Sequence, residues 1–250
     1  MTGSVESVAG GPILVVRDLR RSFGGIKAAD GVNLEVRRKE IVGLIGPNGS
    51  GKSTLFNLVS GAINPEGGEI LFNGRDIAGW KPHRVARAGL ARTFQIPALF
   101  DNMSVMENLL SAAAEGHWNG ARGRAEEVLR LLRIEAVRDN RAVDLSGGQQ
   151  KLLEFGRAMM REAPLVLLDE VTAGVHLNIR SIILDAVARL RDSGTTFFLI
   201  EHDMELVKNV CDRIIVMDAG QVITTGRFDE IATNSEVMQA YLGRRAEVSP

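Results

Sequence analysis

The sequence predicts an α/β fold built on a mainly parallel sheet. Three observations predict it. Short apolar runs rich in Val, Ile and Leu alternate with stretches of helical spacing. One of these runs, Ile41–Ile45, leads directly into a glycine-rich turn and then a helix. Another, 165–168, ends in the acids Asp169 and Glu170, as a buried strand would at the carboxyl edge of an open sheet.

Taken in order, 13–17 and 32–36 read as strands by β-branched content and partial alternation. Ile41–Ile45 is a third strand, 52–60 a helix, 69–72 a strand and 82–91 a helix. From 103 to 163 strand signals vanish, which predicts an all-helical insert. Ser104 is placed to cap a helix there, with Glu107 as its capping-box partner, and 124–134 continues with helical spacing. Strand character returns at 165–168 and 195–200, with a helix over 178–191 between them. A closing strand pair is predicted at 213–217 and 222–225, joined by 218–221, followed by short helices at 229–233 and 236–242. One domain over 13–243 is expected, with a core of 13–102 and 164–243, an insert of 103–163, and tails at 1–12 and 244–250.

The 250 residues are ample for a core, and 45% apolar with 24% charged residues is ordinary for a globular chain. Lys and Arg total 30 against 31 Asp and Glu, so no whole-chain field draws it to nucleic acid or anionic membrane. Cys211 stands alone and cannot close an intrachain disulfide, which fits a reducing compartment. No apolar run approaches the roughly 18–20 residues needed to span a bilayer. The first residues have neither the basic start nor the apolar centre of a secretory signal.

Residues 46–53, GPNGSGKS, fit the pattern G-x-x-x-x-G-K-[ST]. In such a loop the glycines Gly46, Gly49 and Gly51, with Pro47, Asn48 and Ser50 between them, let backbone N–H groups turn toward one point. The helix starting at Lys52 adds its positive dipole end. Lys52 would neutralise β- and γ-phosphate oxygens, Ser53 would ligate Mg²⁺, and Thr54 would reach the α-phosphate. Asp169 would hold Mg²⁺ through water, and Glu170 would deprotonate the attacking water. A general base of that kind contributes about 10²–10⁴ in rate. Alone, an acidic pair after a strand is more often a solvated helix cap; the upstream phosphate loop reverses those odds.

Residues 145–150, LSGGQQ, precede Leu152, Phe155, Gly156 and Met159, which form one helical stripe facing a core. Leu145, Ser146, Gly147, Gly148 and Gln149 then lie at a helix N-terminus, a second place for phosphate. His202 follows the strand at 195–200, and Gln95 lies in RTFQ between the two phosphate motifs. His83 and His117 have no such setting and are expected at the surface.

Together these motifs resemble the nucleotide-binding subunit of ABC transporters, in family order over 13–243. The resemblance implies a nucleoside-triphosphatase core of RecA type, with an antiparallel β subdomain and an inserted helical subdomain. It implies ATP and Mg²⁺ as ligands. It makes Gln95 a Mg²⁺ ligand and sensor, His202 the switch histidine at the γ-phosphate, and Phe23 the aromatic stacked on adenine. The LSGGQQ residues would close on ATP held by a second subunit. That partner would be a non-identical ATPase or, failing that, a second copy. Two transmembrane permease subunits and an external solute-binding protein are implied, with the chain peripheral on the cytoplasmic face. The apolar residues Ala98, Leu99, Phe100, Met103, Val105 and Met106 offer a docking surface, although most of them are expected to pack the insert's core.

Finer stretches, FGGIKA, GLARTFQIPALFDNMSVMENL, LSGGQQKLLEFGRAMM and AYLG, are similar to the ATPases of branched-chain amino acid importers. The family pattern after the catalytic acid is E-P-[TSA]-A-G-[LV]-[ND]-P. Here Val171 and Leu177 replace prolines and His176 replaces Asn or Asp. Loss of the prolines predicts a looser loop at 171–177, a loop that normally meets the opposite subunit. Two alternatives differ in class. A soluble ABC ATPase acting on nucleic acid or the ribosome would need long coiled coils or two cassettes, and neither is present in the sequence. A nucleotide-binding subunit with little turnover is suggested by the altered loop.

Overall fold

The computed structural model describes residues 11–93, 98–113 and 118–243. The elements run β1 (Leu14–Phe23), β2 (Ile26–Val36), β3 (Ile41–Ile45), α1 (Lys52–Val59), β4 (Gly67–Phe72) and β5 (Arg75–Asp76). Next come α2 (Pro82–Arg87), β6 (Leu90–Arg92), α3 (Val105–Ser111), α4 (Trp118–Leu132) and α5 (Gly147–Met159). The chain continues with β7 (Leu165–Asp169), α6 (Leu177–Asp192), β8 (Thr196–Ile200) and α7 (Met204–Val210). It closes with β9 (Arg213–Asp218), β10 (Gln221–Gly226), α8 (Phe228–Ala232) and α9 (Ser235–Gly243). Two compact units divide these elements. One ends at Val85 and resumes at Phe198; the other is Ala86–Phe197.

The first unit holds an antiparallel sheet of order β2-β1-β4-β5. It also holds the run β10-β9-β3-β8, in which β3 and β9 are parallel and β10 turns back antiparallel. All five residues of β3 are buried, the pattern of a strand covered on both faces. The α1 residues Leu55, Phe56, Leu58 and Val59 are buried, and the Phe56 ring packs on Phe198 with centroids 5.1 Å apart. β1 and β2 extend well past the predicted 13–17 and 32–36. Register shifts between Val16 and Leu19 and between Arg21 and Ser22 let pairing continue through the charged stretch Asp18–Ser22. Arg213 ties this unit together: its Nε donates to Glu40 Oε1 at 2.7 Å, and its Nη2 to Glu40 Oε2 at 2.9 Å and Glu35 O at 2.8 Å.

The second unit pairs β6 and β7 in parallel, with the start of β8 beside β7. The helix predicted over 82–91 stops at Arg87. Gly89 takes φ 104°, a conformation open to glycine, and Leu90–Arg92 turn into a strand aligned with Leu165–Leu167. The stretch with no strand signal carries α3, α4 and α5. Ser104 caps α3, accepting from the Glu107 N–H at 3.2 Å, while Glu107 Oε2 accepts from the Ser104 N–H at 2.7 Å. Leu152, Phe155 and Met159 are buried as the helical stripe requires. A Cβ on Gly156 would lie 2.9 Å from the Leu132 side chain and 3.1 Å from that of Leu109, so α5 passes close to α3 and α4 at this glycine. Val105 and Met106 pack the core, whereas Phe100 and Met103 stay exposed.

Candidate nucleotide site and signature helix

In the first unit, β3 delivers the chain to a loop whose glycines are sterically required. Gly46 has φ 148° and Gly51 φ 106°. A Cβ on Gly46 would lie 2.0 Å from the Met217 carbonyl oxygen, and one on Gly51 2.2 Å from that of Ala28. The Gly220 N–H donates to Ser50 O at 3.0 Å, so β2 and the β9–β10 turn brace the loop from outside. Lys52 is buried, and its ammonium donates to Gly46 O and Pro47 O, both at 2.9 Å, and to Ser50 Oγ at 3.3 Å. The loop therefore fixes its own cation. Asn48, Gly49 and Ser53 are exposed and Thr54 half-buried. The Tyr241 phenol oxygen accepts a hydrogen bond from the Gly46 backbone; burial pushes the phenol's pKa up, and this bond offsets it only in part.

Phe23 ends β1 opposite Ile26, and both are exposed. The Arg21 guanidinium lies 4.9 Å from the Phe23 ring centroid. An aromatic face held at a strand end and open to solvent suits stacking on a planar base. His202 is exposed just after β8, beside buried Glu201. Asp203 then caps α7, accepting from the Leu206 N–H at 3.0 Å.

In the second unit, Asp169 is the last residue of β7 and is buried. Its Oδ2 accepts from Arg92 Nη2 at 3.0 Å, and each side chain is only 9% exposed. The Asp169 N–H donates to Thr93 Oγ1 at 3.2 Å, and the Thr93 N–H donates to Leu167 O at 3.0 Å. Arg92 and Thr93 were not among the predicted site residues. The readable signal was a cation at the end of a short apolar stretch, which in a buried strand demands a counter-ion. Glu170 is half-buried with φ 48°, and its carbonyl accepts from the Ala173 N–H at 3.0 Å. That left-handed backbone costs a side-chain-bearing residue about 1–2 kcal/mol. Such strain collects at functional positions.

The loop after Glu170 is buried only at its start, with Ala173, Gly174, His176 and Leu177 exposed. Val171 and Thr172 are buried. His176 is the N-cap of α6, with Nδ1 accepting from the Asn178 N–H at 3.4 Å, a weak version of the cap that Asn or Asp supplies. Leu177, in place of the second proline, is 71% exposed.

Ser146 caps α5 in a reciprocal box. Its Oγ accepts from the Gln149 N–H at 3.3 Å, and Gln149 Oε1 accepts from the Ser146 N–H at 2.9 Å. Leu145 is buried beneath this turn while Ser146 and Gly147 face solvent. A Cβ on Gly147 would meet nothing, whereas one on Gly148 would lie 2.9 Å from Ile179. The exposed start of a long helix, with a hydroxyl and a bare glycine backbone, can receive phosphate oxygens. Gln95 and His117 lie outside the described residues.

Among the described residues, no group of three or more His, Cys, Asp or Glu could hold a metal ion. Of the predicted oxygen donors, the Ser53 hydroxyl is exposed in the first unit, the Asp169 carboxylate is buried in the second, and Gln95 lies outside the described residues. Hydroxyl and carboxylate oxygens are donors that Mg²⁺ takes in small number, beside phosphate oxygens and water.

A family model described as ABC transporter matches residues 29–173. The chain is 39% identical over 246 residues to a probable branched-chain amino acid transport ATP-binding protein LivG of Archaeoglobus fulgidus, covering 92% of this chain and 95% of that protein. It is 38% identical over 251 residues to the high-affinity branched-chain amino acid transport ATP-binding protein BraF of Pseudomonas aeruginosa, covering 93% and 98%. Among solved structures, the ADP conformation of MJ1267, an ATP-binding cassette of an ABC transporter, superposes with a TM-score of 0.83 at 34% identity, over 93% of this chain and 99% of that one.

Proposed function

The chain belongs to the ABC transporter family, and from that premise we propose that it is the ATP-hydrolysing subunit of an importer for branched-chain amino acids or a related small solute. The observation that carries this reading is identity of 38–39%, sustained almost end to end, with proteins of branched-chain amino acid transport. The soluble alternative loses its ground, because the relatives matched over the whole length are transport proteins.

Each role is assigned on its own motif. The N–H groups of residues 48–53 and the Lys52 ammonium hold the β- and γ-phosphates, Thr54 reaches the α-phosphate, and Phe23 stacks on the adenine. Ser53, Gln95 and Asp169 are the positions that would hold Mg²⁺, which when bound neutralises phosphate charge. Glu170 takes the proton of the attacking water, and His202 donates to the γ-phosphate. Leu145, Ser146, Gly147, Gly148 and Gln149 complete the site of a second cassette, so that two chains hydrolyse ATP together. The insert at 103–163 responds to the Gln95 segment. Phe100 and Met103 are the exposed apolar residues that dock a permease helix.

Among the described residues no helix is long and apolar enough to cross a membrane. On the proposed reading the chain sits on the cytoplasmic face through two permease subunits, with a non-identical second ATPase and an external solute-binding protein completing the assembly. Tagged chain recovered from membranes at native expression tests this. It should co-purify with hydrophobic subunits whose associated binding protein takes up branched-chain amino acids; recovery as a soluble protein without them would overturn the assignment.

A further inference from the structure

The Arg92–Asp169 pair is not explained by the roles above. Two long-separated residues meet at the ends of adjacent parallel strands, β6 and β7, with Nη2 and Oδ2 3.0 Å apart and both side chains buried. The neighbouring Thr93 hydroxyl holds the Asp169 backbone N–H, and the Thr93 N–H is bonded back to Leu167. The carboxylate is thus held from its backbone and from one oxygen by consecutive residues of a single strand end. A buried carboxylate needs a cation, and in this structure the cation is protein.

We propose that Arg92 is the resident counter-ion of Asp169, a positioning residue that stands in for the divalent ion and keeps the carboxylate closed to free metal until nucleotide brings its own. The proposal rests on Asp169 being the metal-facing acid. Arg92 Nη2 holds Asp169 Oδ2, so a dication approaching that oxygen competes with the guanidinium. Phosphate oxygens supply the missing negative charge, so metal and nucleotide enter as a unit. Without nucleotide, the Arg92 charge repels the dication and occupies the oxygen it would approach. The device also prevents the site from filling with whichever divalent ion is most abundant.

Binding of Mn²⁺ to purified nucleotide-free protein, followed by electron paramagnetic resonance, tests this. Arg92→Gln should bind Mn²⁺ at least about 10-fold more tightly than the unaltered protein, the size of effect that one adjacent charge has on an ionisation equilibrium. Its melting temperature, lowered by loss of the pair, should rise as Mn²⁺ is added. Arg92→Gln combined with Asp169→Asn should lose the gain. Equal Mn²⁺ affinity in Arg92→Gln and the unaltered protein would overturn the proposal. Should Arg92→Gln not fold, Arg92→Lys carries the test. Its shorter point charge holds Oδ2 less well, so affinity should still rise about 3-fold, and no rise overturns the proposal. Asp169→Asn separates the premise from the inference. If Mg²⁺ tightens ADP binding as strongly in Asp169→Asn as in the unaltered protein, Asp169 is not the metal-facing acid. If that enhancement is lost and Arg92→Gln gains no metal, only the counter-ion role fails.

Discussion

Gly148 of the signature turn lies against Ile179 of α6, so closely that a Cβ on Gly148 would be 2.9 Å from Ile179 Cγ1. The contact joins the start of α5 to the helix that His176 caps. It gives the loop after Glu170 a direct packing connection to the segment proposed to meet a second nucleotide.

Gly148→Ala should therefore destabilise the protein, although alanine is the better helix former by about 1 kcal/mol. Overpacking of this kind costs about 1–3 kcal/mol. Urea denaturation of Gly148→Ala, Ile179→Ala and the pair should show the double variant losing less than the sum of the two single losses. A simple sum of the two single effects would mean that the contact carries no strain.

Glu170→Gln should slow hydrolysis by at least about 10²-fold in the assembled complex while leaving ATP binding intact, as expected for removal of a general base. Single-turnover hydrolysis and equilibrium binding measured on the same preparation check both halves. An unchanged rate would remove Glu170 from the mechanism.

Burial alone would raise the Glu40 carboxyl, but the hydrogen bonds of Arg213 and the Arg37 N–H outweigh it and hold it below the ordinary 4.5. A carboxyl depressed on folding stabilises the protein above its unfolded value and loses that contribution as pH falls through the folded one. Unfolding free energy should thus fall on acidification below about pH 4.5, and Glu40→Gln should remove part of that slope while weakening the protein at pH 7. A variant with an unaltered acid slope would show that the pair contributes no pH dependence.

The Cys211 thiol is pushed up to about 12 from 9.0, by burial first and then by Asp212 and Glu201. Three units leave about 10³-fold less thiolate at a given pH. Alkylation by iodoacetamide at pH 8 should therefore be slow in the native protein and become rapid on unfolding. Fast native labelling would contradict the burial.

Where the sequence foretold structure well, backbone chemistry left few options. The phosphate loop is readable because Gly46 and Gly51 must approach the carbonyls of Met217 and Ala28. The signature turn is readable because Ser146 and Gln149 satisfy each other's backbone donors across one helical turn. The signature turn's requirement is local; the loop glycines answer to distant carbonyls, but they stand within one consecutive eight-residue pattern, and that pattern is what can be read. β6 escaped notice because three residues after a helix carry no period of their own, and only pairing with β7 makes them a strand. α7 escaped because seven residues capped by Asp203 are too few to show a stripe. The Arg92–Asp169 pair escaped for a different reason. Its partners are 77 residues apart, and a charge pair leaves no spacing rule to read. His176 as a cap was hidden because histidine rarely does the work of Asn or Asp there.

The left-handed backbone at Glu170 bears on how such a protein drifts under selection. Glycine would relax φ 48° without strain, and so would be favoured in any screen that rewards heat resistance alone. The same exchange deletes the carboxylate proposed to activate water. Laboratory evolution toward hardiness, run without a transport requirement, would therefore tend to collect sturdy, silent cassettes at this one codon.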